Sequence, residues 1–323
     1  MAAPRRSWDV RARAADDPRR YVVFVAFLLI FGFFAITLRD EGFLSRTNLF
    51  NIVEQTTPVT VMAVAVVFVL SVGEIDLSIG SVVALAALTT AEVMQSHGPV
   101  LAIAAGLGVG VAVGAVNGAF VTLLRLPSFL VTLATLGLVA GLARTITDLE
   151  SVAVESRAFI NIFGSGEVGP IPGLFFWAVG AVALGHVLFV HQRFGAHVVA
   201  TGDNVEAARV TGIRVNRVKF AVLVLSGAAA ALAGILYTGR LQGATYTVGD
   251  QALLTVMAAV VIGGTRLFGG RGSVIGALLG SLIMGMLTNG LILWGFSASE
   301  QMIAEGALLL LAISLTLRTR EGD

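Results

Sequence analysis

The chain has 323 residues, of which 56% are hydrophobic and 13% charged, with a mean hydropathy of +0.90. A soluble domain runs nearer a quarter charged, so this balance excludes an ordinary water-soluble enzyme and places the chain in lipid. There is no cysteine, which excludes disulfides, thiolate metal sites and cysteine nucleophiles, and the net charge of +1 informs only through its distribution along the chain.

Residues 1–20 form a basic tail. Arg5 and Arg6 resemble a twin-arginine signal, but the apolar run from Tyr21 continues to Leu38 without a small-residue cleavage site and predicts a retained first helix. A membrane helix needs about 20 apolar residues, with roughly 17–25 tolerated, and its backbone groups must be satisfied within the segment. By that measure ten runs predict spans: Tyr21–Leu38, Val59–Val72, Ser81–Met94, Val100–Leu124, Phe129–Thr147, Leu174–Val190, Phe220–Leu241, Leu253–Gly264, Val274–Trp294 and Met302–Leu317. The second, third and eighth are short. Thirty-eight glycines against seven prolines suit close helix packing.

The positive-inside rule tests this count. With the N-terminus in the cytoplasm, ten crossings place 16 of the 21 basic residues inside. Arg125, the 191–219 loop with Arg193, Arg209, Arg214, Arg217 and Lys219, and Arg266 and Arg271 are among them. The outer 148–170 loop carries Asp148, Glu150, Glu155 and Glu167 against Arg157, and Trp177 and Trp294 fall at the outer interface. The predicted fold class is all-α, a polytopic integral membrane protein of about ten transmembrane helices with both termini cytoplasmic. It divides into the tail 1–20, a membrane domain 21–317 holding the 191–219 cytoplasmic loop, and a tail 318–323.

Two stretches echo each other in the same membrane direction. Val61–Val67 leads through a polar break to Gly80-Ser81-Val82-Val83, and Val256–Ile262 leads through a glycine-rich break to Gly272-Ser273-Val274-Ile275. Paired, glycine-interrupted segments are a sequence pointer to a transport path, although Val/Ala/Gly-rich helices also resemble one another by chance. The first break, Ser71–Gly80, carries Glu74 and Asp76 between two short apolar runs. A carboxylate there faces a cavity or a partner, unless the break is an ordinary cytoplasmic hairpin in which Asp76 caps the next helix. The second break, Gly263–Gly272, lacks the Gly-Lys-Ser/Thr of a phosphate loop and reads as a tight interhelical turn.

Within the 191–219 loop, Gly202–Ile213 reads as one short helix. Asp203 is its expected cap, Glu206 stands at capping-box spacing and Gly212 ends it. Its small, apolar middle suits docking into a partner's groove, or the loop is a solvated connector attracted to anionic lipid. His186 is alone at helical spacing, Arg144, Arg240 and Glu305 lie toward helix ends where snorkelling is cheap, and Asn117 and Asn289 suit interhelical hydrogen bonds or a polar substrate. No catalytic or metal constellation stands out.

At these motifs the sequence resembles the permease subunits of ATP-binding-cassette sugar importers of the ribose type, over about residues 45–317. The similar elements are Asn48–Ile52, Gly73–Gly80 with its Ile-Asp-Leu-Ser core, Phe129–Leu133, Gly202–Ile213, and Ala258–Thr265 running into Gly269–Gly272. Five in this order carry the resemblance, where any one is unspecific.

The resemblance implies a multi-pass protein of the bacterial inner membrane that moves a monosaccharide delivered by a periplasmic or lipid-anchored binding protein. The core would be a homodimer, or a pair of related chains, with no nucleic acid involved. Hydrolysis would belong to a separate cytoplasmic ATPase subunit holding ATP and Mg, so this chain itself is no enzyme and holds no cofactor. Coupling to that subunit would fall to Glu206, Ala207, Ala208 and Arg209, with Gly212 as the turn after them and Asp203 at the start of their helix; the residues read here as candidates for the translocation pathway are Glu74, Asp76, Ser78, Asn117, Thr132 and Asn289.

Glu74 stands where the family more often has a small residue, Gly249–Leu254 lacks the expected Glu-Leu pair, and Arg266 replaces a small polar residue, so the substrate stays open. A permease for branched-chain amino acids or nucleosides shares this architecture. An ion-coupled secondary transporter would instead use Glu74 or Asp76 as its coupling carboxylate.

Overall fold

A computed structural model describes residues 19–318. Its described residues form twelve α-helices and four two-residue strands. The helices are α1 (Arg19–Thr37), α2 (Arg46–Ser71), α3 (Ile79–Thr122), α4 (Ser128–Ile146), α5 (Arg157–Phe163) and α6 (Gly173–His186). The last continues through a π-helical turn, Val187–His191. Then follow α7 (Arg193–Asp203), α8 (Val205–Val210), α9 (Val215–Leu241), α10 (Ala252–Ile262), α11 (Val274–Leu293) and α12 (Ala298–Arg318). Six helices are long and apolar enough to cross a membrane: α2, α3, α4, α6 with its π turn, α9 and α11. The predicted tail 1–18 and residues 319–323 lie outside the described residues.

Each predicted run falls on a helix, with one correction. The second run is not short: α2 begins at Arg46, and its first half, rich in Asn, Gln and Thr, is helical too. Thr56 and Thr57 donate back to the carbonyls of Ile52 and Val53 at 2.8 Å each, which hides their hydroxyls inside the helix. The third and fourth runs are two helices, as expected, the two limbs of α3, which meet at Gly98 (φ 76°), immediately before Pro99. The eighth run stays short, as the 11-residue α10.

Small residues set the packing. On the second limb of α3, Gly106, Gly110, Gly114 and Gly118 recur every fourth residue and so lie on one face. Gly110, Gly114 and Gly118 face α9, where a Cβ at Gly110 would collide with the Gly227 carbonyl and one at Gly227 with the Gly110 carbonyl. Without side chains between them the two backbones nearly touch, which maximises van der Waals contact where lipid offers no hydrophobic driving force. The interior is built from α2, the first limb of α3, α9, α10 and α11. α4, α6 and the second limb of α3 expose apolar side chains such as Val100, Leu130, Leu138 and Leu184.

At the end where α4 stops and α6 begins, short antiparallel pairs tie the loops. Val152 pairs with Ala244 and Glu167 with Pro172. Trp177 stacks on Phe163 and donates its indole N–H to the Ile162 carbonyl at 2.8 Å.

Candidate functional site

The site starts where α2 stops. Gly73 adopts φ +85°, and Gly73 N and Glu74 N donate back to Leu70 O and Val69 O at 3.0 Å each, a Schellman end that satisfies the last carbonyls of α2. The chain then runs without regular secondary structure through Glu74–Leu77 before α3 begins at Ile79.

Two side-chain hydroxyls of α4 hold this segment. Ile75 N donates to Ser128 Oγ at 3.1 Å, and Thr132 Oγ1 lies 3.2 Å from the Ile75 carbonyl. Asp76 is the hub. Its Oδ1 accepts from Ser78 N at 2.9 Å and Ser78 Oγ at 2.6 Å, and its Oδ2 accepts from Ser226 Oγ of α9 at 2.6 Å. Asn117 of α3 donates to Ser78 Oγ at 3.0 Å and accepts from Thr135 of α4 at 2.7 Å.

Asp76, Ser78, Asn117, Thr132 and Ser226 are all buried. Ser226 is the twelfth residue of α9, roughly 16 Å from that helix's start at 1.5 Å per residue, so the network lies well inside the bundle. Asp76 does not cap α3 with a side-chain bond to its first turn; Ser78 holds the cap position, also without one. Glu74, likewise buried, forms an ion pair with Lys219, the single lysine of the sequence.

The predicted coupling segment is two helices rather than one. α7 ends at Asp203, and Asn204 caps α8, accepting from Ala207 N at 3.0 Å. The expectation for Asp203 is therefore corrected: Asn204 has the extended backbone a cap needs, and Asp203 lies against Gly270. Gly212 (φ +87°) ends α8 as expected. Glu206 and Arg209 pair at 2.5 Å on the exposed face with Ala207, whereas Ala208 is buried. Val210, 88% exposed, is an apolar side chain on that face which the sequence reading passed over.

The three motifs meet at one point. Gly270 N donates to the Ser71 carbonyl at 3.0 Å, and a Cβ at Gly202 would collide with that same carbonyl and crowd Gly270 N. α7 is held there by aromatic contacts, Phe68 of α2 lying edge-on to Phe189 and stacked on Phe194 at 5.1 and 5.8 Å. The second break is the tight turn expected, closed by Arg266 N to Arg271 O at 3.1 Å, and Ser273 caps α11. The end of α2, the end of α7 and the α10–α11 turn thus meet at one backbone junction, flanked by those aromatic rings, from which residues 72–75 lead to Asp76.

Asn289 is not part of this cluster. It exchanges two 2.9 Å hydrogen bonds with Asn48 between α11 and α2. Glu305 does not snorkel: it is buried, accepting from Thr255 and Thr288 at 3.0 Å each. The His186 and His191 rings lie 5.7 Å apart, and no group of three metal-ligating side chains occurs among the described residues.

Residues 48–313 match the family model described as branched-chain amino acid transport system, permease component. The chain belongs to this permease family. It is 37% identical to the ribose import permease protein of Escherichia coli K12, covering 86% of this chain and 88% of that one. Against the L-arabinose ABC transporter permease protein of Azospirillum brasilense it is 33% identical, over 90% and 85%. The D-allose transport system permease protein of E. coli K12 is 32% identical, over 92% and 91%. No solved structure matches the permease.

Proposed function

We propose that this permease is the membrane subunit of an ATP-binding-cassette importer that carries a monosaccharide across the bacterial inner membrane. The single observation that carries the reading is the backbone junction of Ser71, Gly202 and Gly270, because it joins α7, and through it the exposed face of α8, to the segment that holds the buried Asp76 network. A push on α8 is thereby delivered to residues inside the bundle. Ten crossings with both termini cytoplasmic put α7–α8 inside, where a separate ATPase subunit holding ATP and Mg meets Glu206, Ala207, Arg209 and Val210. A binding protein delivers the sugar outside, and a second copy of the chain completes the core.

Sugar is favoured over a zwitterion or an ion-coupled mechanism by the state of the two carboxylates. Glu74 is neutralised by Lys219, and Asp76 is held by three donors. Neither is a free charge for an ammonium group or a coupling cation. Hydroxyl and amide groups such as Ser78, Asn117 and Thr135 suit weak, transient contacts to sugar hydroxyls once the network opens.

The test is a pull-down of the tagged chain from its native membranes in mild detergent, comparing wild type with Glu206→Lys. Co-purification of an ATPase with the wild type and its loss from the variant supports the assignment. Recovery of no ATPase from either sample, with ion-gradient-driven uptake intact, refutes it.

A further inference from the structure

We propose that the cationic cleft between the α3–α4 turn and the start of α9 is a binding site for the phosphodiester headgroup of an anionic phospholipid. The cleft, of about 720 Å³, is lined by Arg125, Arg209, Arg214, Arg217 and Lys219 against the one carboxylate of Glu74. Glu74 balances Lys219, and Glu206 balances Arg209 from outside the lining. Arg125, Arg214 and Arg217 are exposed, and none has a carboxylate at ion-pair distance among the described residues. Three unbalanced guanidinium groups therefore share one concavity. A guanidinium fork matches the oxygens of a phosphate, and clustered forks suit a ligand with several acceptor oxygens.

The rim decides which phosphate. Leu123, Leu124, Leu126, Phe129 and Leu130 are 43–77% exposed around the α3–α4 turn, and they run into the exposed apolar face of α4 with Leu133 and Leu138. A soluble anion has no use for that strip, and an acidic protein surface would have to bury it against charge. A phospholipid uses both parts, its headgroup in the cleft and its acyl chains along α4. Basic pockets between membrane helices at the cytoplasmic surface are the setting in which anionic headgroups bind. The inference rests on reading α3 and α4 as membrane spans, as proposed above, and on neither the sugar nor the ATPase.

The test titrates the full-length chain in neutral detergent with dioleoyl phosphatidylglycerol, and with phosphatidylcholine of the same chains, reading retained lipid by native mass spectrometry. Wild type is compared with the triple variant Arg125→Gln, Arg214→Gln, Arg217→Gln and with Arg39→Gln, Arg157→Gln, two exposed arginines elsewhere on the molecule. The expected result is preferential retention of one phosphatidylglycerol, weakened at least tenfold in the triple variant and unchanged in the control.

Equal retention by wild type and triple variant overturns the site. So does inorganic phosphate bound as tightly as the lipid, or a triple variant that keeps the lipid but loses the ATPase, which would make the cleft a protein-docking surface. Should the triple variant not fold, the three single variants replace it, each expected to weaken binding two- to fivefold; no weakening in any of them overturns the site equally. Lipid selectivity in a chain that recovers no ATPase would sink the importer reading alone.

Discussion

Removing Lys219 tests the buried ion pair, and the structure predicts an asymmetric outcome. The Glu74 side chain is 8% exposed and Lys219 22% exposed, at the margin of the cleft. Lys219→Met leaves an uncompensated carboxylate with little access to water. Breaking a buried pair from that side costs about 3–5 kcal/mol, or forces the carboxyl to take up a proton. Glu74→Gln leaves an ammonium on a flexible stem that can swing into the cleft, so its cost is smaller, about 1–2 kcal/mol, set by lost hydrogen bonding. The double variant replaces both charges and should fall within about 1 kcal/mol of wild type, because a paired charge and its neutral substitute differ little once desolvation is counted.

Thermal unfolding in detergent, followed by tryptophan fluorescence, reads all four proteins. At roughly 2–4 °C per kcal/mol, Lys219→Met should melt at least about 6 °C below wild type, and Glu74→Gln should restore most of that loss. The coupling is refuted by additive shifts, or by Glu74→Gln proving the more damaging single change.

Three further outcomes follow from the site and its supports. Asp76→Asn replaces one accepting oxygen with a donor facing Ser78 or Ser226; it should cost about 2–3 kcal/mol and abolish uptake in reconstituted vesicles while ATPase co-purification persists. Gly227→Val puts a branched side chain against the Gly110 carbonyl and must separate α9 from α3, so uptake should fall at least tenfold; wild-type uptake would show that the close approach is dispensable. Glu305→Leu should be neutral or stabilising by about 1 kcal/mol, since the Thr255 and Thr288 hydroxyls can each donate instead to a carbonyl of their own helix. A melting temperature lowered by more than about 5 °C would assign Glu305 a role beyond packing.

The helices were readable from hydropathy because lipid forces length and apolarity together, and the one correction has a local cause. Arg46–Thr57 reads as polar to a hydropathy window, yet Thr56 and Thr57 turn their hydroxyls back onto the helix and Asn48 finds Asn289, so part of that polarity is satisfied within the bundle. At the site, Asp76, Ser78, Asn117 and Thr132 were named from the sequence and do converge, whereas Asn289 does not.

Ser226 and Lys219 were missed as partners because they lie about 150 residues from Asp76 and Glu74 and on another helix. Two local signals existed. Ser226 stands beside Gly227 in the middle of an apolar helix, and Lys219 is the single lysine among arginines. The fourfold glycine spacing on α3 was also on the page, as the device that draws α9 close enough for Ser226 to reach Asp76. The cap of α8 went to Asn204 because either neighbour has the chemistry and only the backbone angle distinguishes them.

The junction of Ser71, Gly202 and Gly270 has a mechanical consequence. Side chains between moving helices act as springs, since each can change rotamer and absorb part of a displacement. Here peptide meets peptide, and a peptide unit has no rotamer to spend. A shift of α7 by a fraction of an ångström must reach the end of α2 and the α10–α11 turn almost undiminished, or else break the bond from Gly270 N. The coupling is stiff for want of atoms, and a single methyl group at Gly202 would turn a rigid joint into a displaced one.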